Sequence, residues 1–120
     1  MAKYKNSITP ILSLQITMIN EWLRFRVKPE LRDQFIRTDR EVWDSAIAAY
    51  PGYLGKEVWL GEPPDEVVVV VHWQSEALWK SVPKDVVDAT EAKFSDQFGA
   101  DNYELLEFHG YTVRSLPHNR

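Results

Sequence analysis

Five consecutive valines, Val67–Val71, run directly into His72 and Trp73. Each is branched at Cβ and restricted at χ1, which favours an extended backbone over a helix. The run falls far short of the ~20 apolar residues that cross a bilayer. It is apolar at both parities, so it predicts a strand covered on both faces. The chain must therefore build a sheet around this segment. The residues before it supply the first neighbour. Leu54–Leu60 alternates in character, and Gly61-Glu62-Pro63-Pro64-Asp65 supplies turn residues, so the two strands form a hairpin.

The other elements follow from periodicity. Leu23, Phe25 and Val27 alternate with Trp22, Arg24 and Arg26, which predicts a first strand. Upstream, Leu12, Leu14, Ile16 and Met18 also alternate, but in the opposite phase, so a break is expected near Met18 to Asn20. Pro29 suits a first helical turn, and Glu30 and Asp33 complement the helix dipole. Leu31, Phe35, Val42, Ala46 and Tyr50 then keep helical spacing, predicting one amphipathic helix of about five turns that ends at Pro51-Gly52. Ser75 can cap a second helix, which Pro83 interrupts and restarts. Val87, Thr90, Phe94 and Phe98 mark its buried stripe, with Gly99 at its end. Leu105–Val113 is the last strand.

The order strand, helix, strand, strand, helix, strand is two split β-α-β units. With right-handed crossovers it predicts an α+β, ferredoxin-like four-stranded antiparallel sheet of order 4-1-3-2, both helices on one face. At 120 residues, two independent cores would each be marginal, so one domain over 18–113 is expected. It is flanked by an extension, 1–17, and a polar tail, 114–120. Lys3 and Lys5 before Ile8–Ile16 outline a signal peptide faintly. Gln15 and Thr17 interrupt it and no cleavage motif follows, so a loosely attached extension is expected. The chain has no Cys, which excludes disulfide scaffolds and thiolate chemistry and suggests a reducing, cytoplasmic setting. A net charge of −4 argues against nucleic-acid binding, and no apolar stretch suits a membrane.

Strand parity sorts the side chains by face. Leu23, Phe25, Val27, Leu54, Val58, Leu60, Val67, Val69, Val71, Trp73, Leu106 and Phe108 are expected beneath the helices. Trp22, Arg24, Arg26, Glu57, Trp59, Val68, Val70, His72, Leu105, Glu107, His109, Tyr111 and Val113 are expected on the open face. This second set mixes aromatics with charge, and monomers rarely leave such an apolar patch wet. A second copy packed sheet to sheet is the simplest cover, making a homodimer. The space between the sheets would then bind a small apolar or aromatic molecule.

Within that face His72 and His109 are the candidate acid–base groups. The first strand should lie between them, about 10 Å apart at the backbone, which with no His-x-x-x-His pairing argues against a metal site. Asn20, Trp22, Arg24, Glu57, Trp59, Glu107 and Tyr111 are the candidate ligand-binding residues. Each has a plainer reading, Arg24 as an ion pair with Glu57 or Glu107 and the aromatics as interface packing.

Four segments, Glu21–Val27, Pro29–Arg32, Tyr50–Trp59 and Val70–Ser75, resemble the dimeric α/β-barrel superfamily and its antibiotic-biosynthesis-monooxygenase-like members. The string Glu-Trp-Leu-Arg-Phe-Arg-Val resembles a branch of small, largely cyanobacterial proteins. The resemblance implies a homodimer with facing sheets. It offers several activities: cofactor-independent monooxygenation, haem degradation, dye-decolourising peroxidation, or dimerisation without a ligand. Fold alone does not choose among them. The haem-degrading members use an Asn on the first strand and a Trp and a His on the second helix. Asn20 and Trp79 are partial counterparts, but no His lies between Ser75 and Phe98, so haem is not carried over and no cofactor is expected.

Overall fold

The computed structural model describes residues 18–115. No break appears at the described part of Met18 to Asn20: Ile19 and Asn20 already pair in regular register with their neighbours. The extension 1–17 and residues 116–120 lie outside the described residues. Strands β1 (Ile19–Val27), β2 (Tyr53–Leu60), β3 (Glu66–Trp73) and β4 (Tyr103–Thr112) form one antiparallel sheet of order β2-β3-β1-β4. This is the expected ferredoxin-like order. The valine run sits in β3, an inner strand, and all five valines are buried.

The helical layer departs from a single regular helix. After a 3₁₀ turn at Pro29–Leu31 come α1 (Arg32–Asp39), a π turn (Arg40–Asp44) and α2 (Ser45–Ile47). Gly52, at φ +91°, then turns the chain into β2. A Cβ there would come within 2.6 Å of Leu78, so glycine serves both the backbone angle and the packing. The second crossover is divided as Pro83 requires. Ser75 Oγ accepts from the Leu78 N–H at 3.2 Å and caps α3 (Glu76–Lys80), and α4 (Lys84–Phe98) starts just after Pro83.

Helices and sheet meet over a core built on Ile19, Val27, Phe35, Val69, Trp73, Phe94 and Phe98. Phe35 anchors one end, with the rings of Phe25, Phe94, Phe98 and Tyr103 between 5.1 and 6.0 Å from its own. Edge-to-face stacking of this kind adds about 0.5–1.5 kcal/mol per pair beyond area burial.

Two irregularities correct the parity reading. The β1–β4 register shifts between Arg24, opposite Glu107, and Phe25, opposite Leu105. The extra residue inverts parity across the bulge. Leu105 therefore lies on the helix side beside Phe25, and Leu106 takes the unpaired position. A second shift in the β2–β3 pairing skips Leu54. Tyr53 takes the helix-side place opposite Trp73, and Leu54 is exposed. The valines of the open face also need less cover than expected. Val68 lies between Arg24 and Trp59, and Val70 between Trp22 and Glu57. Both are only 6% and 2% exposed in a single chain. The apolar surface left open there is mainly Trp59 and Tyr111.

Candidate functional site

Beyond the Phe35 cluster, helices and sheet separate around a cleft of about 610 Å³ within one chain. Its floor is the helix side of the sheet, including Leu23, Val69, Val71 and Phe108. Trp43 from the π turn, Trp73 from β3 and Trp79 from α3 bring three indoles to its walls. Trp79 enters because β4 carries a glycine opposite Glu21. A Cβ on Gly110 would lie 3.3 Å from the Trp79 ring, so a bare backbone gives it room.

Charged groups enter this apolar space from the same strands. Glu21 precedes Leu23 by two residues and so shares its face. Its Oε1 accepts a 2.8 Å hydrogen bond from Trp73 Nε1. Burial raises the Glu21 pKa above the ordinary carboxylate value, against the lowering effect of indole N–H groups of Trp73 and Trp79 and of the charge on Lys56. Lys56 shares the parity of Val58 and points beneath the helices, its side chain 6% exposed. It donates to Asp39 Oδ2 at 2.5 Å and also pairs with Asp44. Burial disfavours the ammonium, but the two aspartates outweigh that and its pKa ends above normal. Asp39 is raised by its own burial despite Lys56.

The π turn explains how one lysine reaches both aspartates. In a regular α-helix, residues five apart point about 140° away from each other. The wider turn over Arg40–Asp44 brings positions 39 and 44 closer to one side. At the mouth, the Tyr103 hydroxyl donates to Glu91 Oε2 at 2.6 Å. Burial and this bond push the Tyr103 pKa up to about 12, so its phenol stays protonated at neutral pH.

The sequence-derived candidates gather on the opposite face, in two groups. His72 Nε2 lies 2.6 Å from Glu57 Oε2 and its Nδ1 lies 2.8 Å from Asn20 Oδ1. Trp59 Nε1 donates to Glu57 Oε1 at 3.1 Å. The bonds from Trp59 and His72 lower the Glu57 pKa. The second group joins Trp22, His109 and Tyr111, whose ring centroids lie 5.7–6.4 Å apart. Arg24 Nε donates to Glu107 Oε2 at 2.7 Å, and His109 lies 3.2 Å from Oε1. Arg24 and then His109 hold the Glu107 pKa down. Strand β1 lies between the histidines: His72 pairs with Asn20 and His109 with Trp22, two residues along β1 and two strand spacings apart.

Glu21, Lys56, Asp39 and Asp44 were not anticipated. Parity alone could have placed Glu21 with Leu23 and Lys56 with Val58, since each is a charge two residues before a helix-facing aliphatic. Asp39 and Asp44 carried no such signal, because their convergence depends on the π turn.

Fold and cleft together define a ferredoxin-like α+β protein with an internal pocket between its two layers. The family described as antibiotic biosynthesis monooxygenase matches residues 18–81, and the chain belongs to it. A monooxygenase from the gene ActVA-Orf6 of Streptomyces coelicolor, solved with the ligand Nanaomycin D, superposes with a TM-score of 0.65 at 14% identity, covering 88% of this chain and 95% of that one. SnoaB, a cofactor-independent oxygenase from Streptomyces nogalater, gives 0.57 at 15% identity over 83% and 96% of the two chains. A conserved protein from Methanosarcina mazei Go1 gives 0.59 at 13% identity over 88% and 99%. At these identities the likeness shows a shared fold. No curated protein matches the chain. No helix among the described residues is long and apolar enough to cross a membrane.

Proposed function

We propose that this chain binds a small, largely apolar aromatic molecule in the helix-side cleft, as a homodimer paired through the open faces of its sheets. The observation that carries the proposal is the cleft itself, an aromatic-walled cavity of about 610 Å³ with the Glu21 carboxyl among its lining residues. A few polar groups in a mostly apolar concavity are the usual makeup of a small-molecule site. This moves the ligand from between the sheets to beneath the helices. In this reading Trp22, Trp59, Tyr111, Arg24 and Glu107 belong to the pairing surface. The Asn20–His72–Glu57 chain and His109 line the narrow space between the two copies. The folded unit is 18–113, with 1–17 and 114–120 as appendages. The absence of Cys favours the cytoplasm. The narrower kinship with the cyanobacterial branch rests on the Glu21–Val27 string.

The direct test is native mass spectrometry of the gently purified chain, followed by tryptophan-fluorescence titration with flat aromatic probes. A co-purified small molecule, or saturable quenching that Trp79→Ala removes, supports the proposal. A dimer that quenches with no probe leaves it as a dimerisation module without ligand.

A second reading, cofactor-independent monooxygenation, is favoured by family membership and by two oxygenases among the structural neighbours. Glu21 would take a proton from the bound molecule at the cleft wall, and His72 and His109 are the alternative bases on the other face. Oxygen uptake with a panel of quinols tests it. Loss in Glu21→Gln assigns the base to the cleft, loss in His72→Ala assigns it to the space between copies, and no uptake with any quinol ends this reading.

A further inference from the structure

The charges around the cleft are unequal in a way that bears on what enters it. Four carboxyl side chains line it, Glu21, Asp39, Asp88 and Glu91, against two ammonium groups, Lys56 and Lys80. Both ammonium groups are already engaged. Lys56 is held by Asp39 and Asp44. Lys80 lies 3.8 Å from Glu76 and over the Trp79 ring, 5.0 Å from its centroid. Asp88 is matched by Lys84 at 2.7 Å. Glu21 and Glu91 remain. Among the described residues both are held by neutral donors, the indole N–H groups of Trp73 and Trp79 for Glu21 and a phenol for Glu91, and neither forms a salt bridge, though the Lys56 charge reaches Glu21 from a distance.

A carboxylate has about four acceptor positions, so one or two neutral donors leave others open. In an apolar cleft those positions favour an N–H donor that carries charge. The indoles of Trp43 and Trp73 act in the same direction, because an aromatic face attracts a cation, as the Trp79 ring already does for Lys80. An anionic ligand would face two carboxylates, with Lys56 held by Asp39 and Asp44 and only the exposed Lys80, loosely paired with Glu76, to receive it.

We infer that the molecule bound in this cleft carries a protonated amine on its aromatic body, with Glu21 and the indole walls receiving the ammonium, and that aromatic carboxylates are rejected. The inference rests on the cleft being the ligand site. It assigns the polar end of the ligand, which the cleft's size and apolar lining leave open.

The test uses the full-length chain and three probes with one aromatic body: 2-naphthylmethylammonium, 2-naphthylmethanol and 2-naphthoate. Binding is followed by calorimetry at neutral pH and at two salt concentrations. The ammonium should bind at least about tenfold tighter than the carboxylate, with the alcohol between them. Added salt should narrow that gap. Glu21→Gln should bring ammonium and carboxylate to within about threefold of one another, while wild type alone tests the order of affinities if the variant fails to fold. A carboxylate that binds as tightly as the ammonium overturns the inference and leaves the cleft as a ligand site. An unchanged gap in a folded Glu21→Gln overturns the role of Glu21. Binding of none of the three overturns the cleft reading and this inference with it.

Discussion

Trp73 Nε1 donates a 2.8 Å hydrogen bond to Glu21 Oε1, joining the end of an inner strand to a carboxyl in the cleft beneath the helices. Trp73 is 1% exposed, so its indole N–H needs a partner inside the protein, and Glu21 is that partner. The bond orients the carboxyl, and with the Trp79 indole as a second donor it still leaves acceptor positions open.

This pair has a consequence for stability against pH. Burial raises the folded-state pKa of Glu21 above the ordinary 4.5, so the folded chain holds that proton more tightly than the unfolded chain. The group therefore favours folding below the unfolded value, and this advantage is lost as pH rises through the folded value. Glu21→Gln removes the titration. Relative to wild type, the variant should gain stability in urea denaturation as pH rises from the ordinary carboxylate value through the raised folded value. Asp39 shifts in the same direction but is common to both proteins and cancels in the comparison. A difference independent of pH would contradict the assignment.

Lys56 is held between Asp39 and Asp44 with its side chain 6% exposed. Replacing it with Met leaves the buried Asp39 without its countercharge. Loss of one partner from a buried ion pair typically costs about 3–5 kcal/mol, which is the loss expected for Lys56→Met. Adding Asp39→Leu should recover part of that loss, because it removes the more buried of the two unpaired carboxylates and leaves only the more exposed Asp44. Chemical denaturation of the two variants measures both effects.

Gly110 leaves 3.3 Å between an added Cβ and the Trp79 ring. Gly110→Val should push Trp79 out of place and cost about 1–3 kcal/mol by overpacking. Trp79 emission should shift, and aromatic-probe affinity should fall about tenfold, as one cleft wall moves. Unchanged probe binding would separate Trp79 from the ligand site.

Trp59 is 46% exposed on the open face, so its substitution should leave the protomer folded. If that face is the pairing surface, wild type sediments at about twice 14.0 kDa at micromolar concentration. Trp59→Asp should then weaken association by about tenfold or more, since a carboxylate would be buried without a partner. A monomeric wild type would remove the proposed interface.

The open-face candidates were accessible from alternation because β1 and β3 are regular along their contact. Asn20 meets His72, Trp22 meets Val70 and Arg24 meets Val68 as a simple two-residue period requires. Leu54 and Leu105 were misplaced for one reason. A bulge adds a residue and reverses parity beyond it; Gly55, at φ +134°, marks the one beside Leu54, while no such residue marks the one at Leu106. Glu21 and Lys56 obeyed parity but are charged, and a search for apolar faces passed over them.

The sequence by itself determined the element order, the sheet, the turns and the faces of the regular strands, because those depend on local periodicity and on where Pro and Gly stand. Only the tertiary structure showed a cleft between helices and sheet. It also decided that Asp39, Asp44 and Lys56 converge and that Glu21 is held by Trp73. Those outcomes depend on a π turn, two register shifts and the spacing of packed layers. Each sums contacts between residues far apart in the chain, and no local pattern encodes such a sum.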